Sequence, residues 1–232
     1  MARNRSVTNI PTLATLLFVL SAASGLTQVR TRTVPLDHPD DLQTRNVKTE
    51  VATYKGRQAL RVTDDAPTAG DGERLVILRK TDFQDGTIEV DLAGEPGPGA
   101  VETARGFVGV AFRVASDGSK YECLYLRPTN GRAEDQVRRN HSVQYISFPD
   151  FPWQRLRKEF PEKYESYVDL IPGEWTKVRI EVQGDKARLY VHGAQQPTLV
   201  VNDLKQGQGH GAIALWVGPG TVAHFANLRI ST

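Results

Sequence analysis

The chain has 232 residues, of which 39% are hydrophobic and 24% charged, enough to fill one core of moderate size. Its 29 lysines and arginines nearly balance 27 acids, which excludes the basic surface of a nucleic-acid binder. The single cysteine, Cys123, excludes an intramolecular disulfide framework and reads as a small buried apolar residue inside YECLY.

In chain order, MARNRSVTN carries Arg3 and Arg5, the apolar run IPTLATLLFVL follows, and SAASG supplies small residues. That order is the grammar of a secretory signal, with cleavage expected near Gly25. The run contains Pro11 and is too short for the ~20 apolar residues of a bilayer span, so no stable membrane insertion is expected. No cysteine lies near the cut to carry a lipid anchor. Residues 1–25 hold two arginines and no acid, so their loss leaves a formally neutral chain, exported to the periplasm or beyond the cell. Residues 26–44 form a lead-in, and residues 45–232 one sandwich domain.

From VKTEVATY onward, short runs rich in Val, Ile, Tyr and Phe alternate with Gly, Asp, Asn or Pro, as in RQALRVTD, RLVILRK, GTIEVDLAG and TVAHFANLRI. Runs of this length and spacing predict an all-β antiparallel sandwich. Taking Gly184-Asp185 as the turn of TKVRIEVQGDKARLYVH puts Val178, Ile180, Val182, Ala187, Leu189 and Val191 on one face and sets Glu181 opposite Arg188. Taking Asp117-Gly118 as the turn of GFVGVAFRVASDGSKYECLYLRP puts Val108, Val110, Phe112 and Val114 on one face with Tyr121, Cys123, Tyr125 and Arg127. Neither face of that second hairpin is polar, which places it centrally, covered on both sides.

The obvious cover is the insert of residues 128–172, expected to lie over the concave face. Within it, SVQYIS reads as a strand, while QRLRKEF and PEKYESYV read as two helical turns, Pro161 opening the second. The stretch RPTNGRAEDQVRRNHSVQYISFPDFPW concentrates planar donors and aromatic rings.

Taken in order, GTIEVDL, GFVGVAFRV, YECLYLRPTNGR, VQYISFPDFPW, GAIALWVG and FANLRI resemble exported bacterial members of the concanavalin A-like lectin/glucanase superfamily, close to the 3-keto-disaccharide hydrolase domains. The resemblance runs from about residue 45 to the C-terminus. It implies a two-sheet jelly roll whose concave sheet faces a sugar or a related ligand.

TIEVDLAGE places Glu89, Asp91 and Glu95 in an order that mimics the acid and nucleophile of the superfamily's glycosidases. The spacing fails, however: Ala93 holds the alternate position, Glu95 lies beyond Gly94, and a retaining pair needs carboxyls ~5 to 5.5 Å apart. An outer strand with a solvated face is the expected role. His38, His141, His192, His210 and His224 show no metal-ligand spacing, and no cofactor motif occurs, so neither metal nor cofactor is expected. Ser142 beside His141 is only a sequence neighbour.

Most of Arg132, Arg138, Arg139, Arg155 and Arg157 are expected to pair with nearby acids, whereas Arg127, at a strand end beside Tyr125, is expected to point into the enclosed space. Tyr145 and Trp153 are candidate stacking platforms, or equally the packing of the insert. Two function classes remain open. A lectin-like module would hold a saccharide or glycan between Tyr125, Arg127, Asn130, Arg139, Asn140, His141, Gln144, Tyr145 and Trp153. A glycoside-processing hydrolase or lyase, implied by the resemblance, would move protons through Asp135, His141 or Glu165.

Overall fold

Alternation with a period of two becomes strand nearly wherever the sequence shows it. The computed structural model describes Met1, residues 30–64 and residues 73–232, and the expected signal segment with its cut near Gly25 lies outside the described residues. The chain runs through β1 (Thr31–Thr33), β2 (Leu42–Arg45), β3 (Val47–Tyr54), β4 (Arg57–Asp64), β5 (Leu75–Phe83), β6 (Gly86–Pro96), β7 (Val108–Val114) and β8 (Tyr121–Leu126). After these come α1 (Gln136–Asn140), β9 (Val143–Phe148), α2 (Trp153–Glu159) and β10 (Glu165–Ser166). The last strands are β11 (Thr176–Gln183), β12 (Lys186–Val191), β13 (Leu199–Val201), β14 (Gly211–Val217) and β15 (Thr221–Ser231).

Among the described residues these strands make two antiparallel sheets, the layers of a jelly-roll sandwich. The first is ordered β13-β12-β11-β6-β15-β4-β3, with β1 added to β15, and the second β10-β9-β8-β7-β14-β5-β2. The β11–β12 hairpin has the expected register: Glu181 faces Arg188, Gly184 takes φ 60°, and the six apolar residues from Val178 to Val191 are buried. On its other face the Arg179 guanidinium lies 3.6 Å from the Tyr190 ring centroid, and the Tyr190 hydroxyl donates to Glu181 at 2.9 Å.

The β7–β8 hairpin is central and buried throughout, but β8 is turned over relative to β7: Val108, Val110 and Phe112 share a face with Glu122, Leu124 and Leu126, not with Tyr121, Cys123 and Tyr125 as expected. The turn itself is right, since Ala115 N–H donates to Lys120 O and Gly118 sits at φ 66°. Past the turn the pairs are Phe112 with Glu122, Val110 with Leu124 and Val108 with Leu126. Three steps along β7 therefore match two along β8, the signature of a bulge. Its site is Arg113, a non-glycine residue at φ 53°, whose guanidinium donates to the Gln84, Gly184 and Gly207 carbonyls and to Asp85. One inserted residue inverts every side chain beyond it. Val108, Val110, Phe112, Leu124 and Leu126 thus fill the space between the sheets, where a Cβ on Gly94 of β6 would come within 2.7 Å of Val108. Cys123, Tyr125 and Trp216 share the opposite face with Gly109 and Ala111.

Val110 is fully buried between the sheets, so Val110→Ala removes two methyl groups and leaves a void. The expected loss is about 2 kcal/mol in urea unfolding, and a loss below about 0.5 kcal/mol would show that Val110 does not face the core.

Residues 128–172 do not simply lie over the sheet. β9 pairs with β8 and β10 with β9, so part of the segment widens the second sheet, while α1 and the stretch from Pro149 through α2 rise beside it. The helical turn expected at QRLRKEF forms as α2; the one expected from Pro161 does not. Residues 161–164 make a turn with Glu162 at φ 65°, because Glu165 and Ser166 are drawn into pairing with Gln144 and Val143.

Candidate functional site

Gly109 of β7 lies between Tyr125 of β8 and Trp216 of β14, with no side chain of its own to part them. A Cβ there would come within 2.5 Å of Tyr125 Cβ; without it the two rings close to 4.6 Å between centroids, tilted by 30°. Phe107 meets Tyr125 edge-on at 6.2 Å. Phe148, Pro152 and Trp153 from the insert complete an aromatic cavity of about 760 Å³. At its floor the Trp216 indole N–H donates to the Tyr121 hydroxyl at 3.1 Å and to Glu73 at 3.3 Å. Burial raises the Glu73 carboxyl above its ordinary value, against the opposing indole hydrogen bond and Arg74.

Phe107 and Trp153 also border a second, polar cavity of about 470 Å³. Arg105, Arg127, Arg138 and Arg157 line it with Asn130, Asp135 and His141. Arg157 and Arg127 hold Trp153 by its ring, at 4.7 and 5.7 Å from the centroid. The two cavities together form one cleft on the outer face of the second sheet, with an aromatic lobe and an arginine lobe.

Arg127 is not the free arm its strand-end position suggests. It is 5% exposed and donates to the Tyr125 hydroxyl at 2.9 Å, Gln144 Oε1 at 3.0 Å, Glu165 Oε1 at 3.1 Å and the His141 carbonyl at 3.2 Å. Gln144 is fully buried, and its amide donates to the Tyr145 and Tyr164 carbonyls, so it fixes Arg127 rather than meeting a ligand. Glu165 also accepts two bonds from Arg157. Burial alone would raise the Glu165 carboxyl, but the Arg157 and Arg127 hydrogen bonds outweigh it and hold the group below its usual value.

His141 Nδ1 lies 2.8 Å from Glu165 Oε2, a contact without hydrogen-bond alignment. Burial, helped by Arg157 and Arg127 and opposed by Glu165, lowers the His141 pKa, so the imidazole is neutral at pH 7. With Nδ1 turned to the carboxylate, Nε2 is the nitrogen available to a ligand. Of the three candidate proton carriers the structure joins His141 and Glu165. Asp135 stands apart at the rim, its carboxylate capping α1 through Arg138 N–H at 2.8 Å.

Asn130 is buried at the cavity wall, donating to the His141 carbonyl at 3.0 Å and accepting from Arg138 Nε at 3.0 Å. Arg139 and Asn140 do not line either lobe: Arg139 stacks over Tyr167 at 5.8 Å, and Asn140 accepts from Gln136 on the surface. Tyr145 also leaves the candidate platform. Adjacent strand residues face opposite ways, so with Gln144 on the cleft face Tyr145 points between the sheets, where its hydroxyl donates to buried Glu122 at 2.7 Å. Arg132 and Arg155 pair as expected, with Asp169 and Glu159.

Arg105, Phe107, Glu73 and Trp216 were not among the expected site residues. Trp216 alone carried a signal, an aromatic in the otherwise aliphatic run GAIALWVG. Glu89 and Asp91 lie on the other sheet, paired with Arg229 and Arg57, and β6 is flanked by β11 and β15 rather than being an outer strand. Among the described residues no group of three or more His, Cys, Asp or Glu side chains is placed to hold a metal ion, and no helix is long and apolar enough to cross a membrane.

A comparison of the sequence with curated proteins finds no match. Among solved structures, the CBM66 carbohydrate-binding module of Bacillus subtilis aligns with a TM-score of 0.56 at 15% identity, over 82% of this chain and 95% of that one. A galectin-like-fold protein of unknown function from Bacillus subtilis gives 0.54 at 12% identity, over 86% and 94%. A Crh5 transglycosylase in complex with NAG gives 0.51 at 16%, over 87% and 84%. At such identities the likeness establishes the fold. The sequence profile of the 3-keto-alpha-glucoside-1,2-lyase-like domain matches residues 40–231. With nearly the whole described chain inside that match, the protein belongs to the family of 3-keto-alpha-glucoside-1,2-lyase-like domains, built on the concanavalin A-like jelly roll.

Proposed function

We propose that the cleft binds a glycoside whose sugar carries a ketone at C3 and cleaves it by elimination. The observation that carries this reading is a neutral histidine, with a carboxylate 2.8 Å from its Nδ1, inside a lobe of guanidiniums. Hydrolysis by a carboxylate pair would need two acids facing the scissile bond, whereas Glu165 is bound by two arginines and Asp135 by a helix end. Abstraction of a proton next to a carbonyl needs one base and a cationic surround for the enolate oxygen.

In that reaction His141 Nε2 takes the C2 proton, and the C2–H electrons form the enolate with the C3 oxygen. Arg157, through the terminal nitrogen that Glu165 does not use, stabilises that oxygen, and buried Arg127 adds its positive charge from behind. The enolate then re-forms the ketone as a C1–C2 double bond forms and the C1–O bond breaks, and the departing alcohol oxygen takes the proton back from His141. Trp153, 39% exposed and backed by Arg157, offers its ring to the sugar.

The test is incubation of the purified protein with methyl 3-keto-α-glucoside and its C2-deuterated form. Release of methanol with a slowed rate for the deuterated substrate is expected. His141→Ala should lower kcat by about 100-fold or more, as loss of a general base does, and Trp153→Ala should raise KM. Because the His141 pKa is lowered, the rate should hold as pH falls to the ordinary histidine value of about 6.5 and drop only at lower pH. A second reading, retention of a saccharide without turnover, is favoured by how fully Glu165 and Arg127 are committed to each other. Binding of the ketone glycoside with no methanol released would select it.

The N-terminal order of Arg3 and Arg5, an apolar run and SAASG supports export, with function outside the cytoplasm. Mass spectrometry of protein from the native host should find a start near Leu26; an intact Met1–Gly25 segment on that protein would remove this reading.

A further inference from the structure

Four guanidiniums line the arginine lobe, against the two carboxylates of Asp135 and Glu165 and a neutral His141. With the Glu102 carboxylate also acting on Arg105, one positive charge is left over in a cavity walled on one side by Phe107 and Trp153. The donors facing this space are also not used up. Arg105 donates through one terminal nitrogen to the Glu102 and Ala104 carbonyls, and its other two nitrogens bind nothing among the described residues. Arg138 and Arg157 each keep one terminal nitrogen without a partner there. Burial lowers the Arg105 pKa, and repulsion from Arg138 and Arg127 adds to this while the Glu102 carboxylate opposes it. Planar forks crowded against one another and left partly unbonded match the geometry of a carboxylate or sulfate oxygen pair. A neutral sugar hydroxyl would leave the charge uncompensated.

We infer that the sugar entering the arginine lobe is acidic, carrying a carboxylate or a sulfate ester that Arg105 and Arg138 receive, while a neutral ring or aglycone lies on Tyr125 and Trp216. The inference rests on the saccharide-binding reading of the cleft and names its substrate class. It also assigns work to two arginines that the elimination does not use. Arg138 is fixed in place by Asn130 and Thr129, and Arg105 by carbonyls of its own loop, so both are held without a carboxylate partner.

The experiment is calorimetric titration of the purified protein with methyl α-glucoside, methyl α-glucuronide, glucose 6-sulfate and inorganic sulfate. At least one acidic sugar should bind about tenfold more tightly than the neutral glucoside at low salt, and the preference should shrink in high salt. Arg105→Gln and Arg138→Gln should each bring the acidic-to-neutral ratio of affinities toward one. A preference for the glucuronide assigns the carboxylate; a preference for the 6-sulfate assigns the sulfate ester. Equal affinity for neutral and acidic sugars overturns the inference and leaves the saccharide cleft standing. Binding of none of these sugars, which all lack a 3-ketone, overturns the inference and leaves the ketone-glycoside reading to the methanol-release test. Inorganic sulfate bound as tightly as glucose 6-sulfate also overturns the inference, because the arginines would then hold an anion without its ring.

Discussion

Arg127→Ala should destabilise the fold by about 3 to 5 kcal/mol, the usual cost of removing one partner from a buried ion pair. Glu165, 8% exposed, would lose one of its two cations, and Gln144 Oε1 and the Tyr125 hydroxyl, both on buried residues, would each lose their donor. Arg157 remains on Glu165, which argues for the lower end of the range. Arg127→Lys keeps the charge but not the planar fork that reaches four acceptors, so a partial loss is expected. Urea unfolding of both variants measures this directly. A change below 1 kcal/mol together with lost saccharide affinity would return Arg127 to the role its strand-end position suggests, that of a ligand contact.

Arg127 also marks where reading the sequence reached its limit. Its position beside Tyr125 at the end of β8 was legible, because strand ends follow from turn residues and alternation. Its commitment to Glu165 was not, since that pairing depends on β10 docking against β9. The two hairpins show the same division. Gly184-Asp185 joins β11 to β12 without interruption, so local turn chemistry fixed the whole register. Asp117-Gly118 fixed its own turn equally well, but Arg113 bulges a few residues away and inverts the strand. What holds that bulge are carbonyls of Gln84, Gly184 and Gly207, remote in sequence, so no local pattern announces it. Tyr145 could have been set aside without a structure: once Gln144 is assigned to the cleft, alternation sends its neighbour to the core. Arg105, Glu73 and Trp216 lie before β7, before β5 and on β14, far from the insert in sequence, and nothing in the insert's own sequence points to them.

Acid should weaken the fold through His224, on the face away from the cleft. This residue is 5% exposed and stacks on Tyr54 at 3.6 Å with the rings 5° from parallel. Burial, with Arg61 directly across the β15–β4 pairing, lowers its pKa to about 4, and Glu50 offsets this only in part. In the unfolded chain the imidazole returns to about 6.5. Between those values the unfolded state binds more protons than the folded one. The stability that the neutral ring confers is therefore complete above pH 6.5 and is lost as pH falls through 4. A difference of about 2.5 pKa units corresponds to about 3 kcal/mol at full effect, of which roughly 2 should be lost between pH 7 and pH 4.5. Other groups titrate in this range: burial raises the Glu122 and Glu73 carboxyls, which favours the fold in acid, and lowers the pKa of His141, which disfavours it. His224→Phe isolates the one contribution, since the phenyl ring keeps the stack on Tyr54 without a titrating nitrogen. Unfolding free energies of the two proteins, measured from pH 7 to pH 4.5, should diverge by about 2 kcal/mol, with the wild type falling faster. Parallel curves would mean that the folded protein protonates His224 as readily as the unfolded chain does, and that the stack on Tyr54 tolerates an imidazolium beside Arg61.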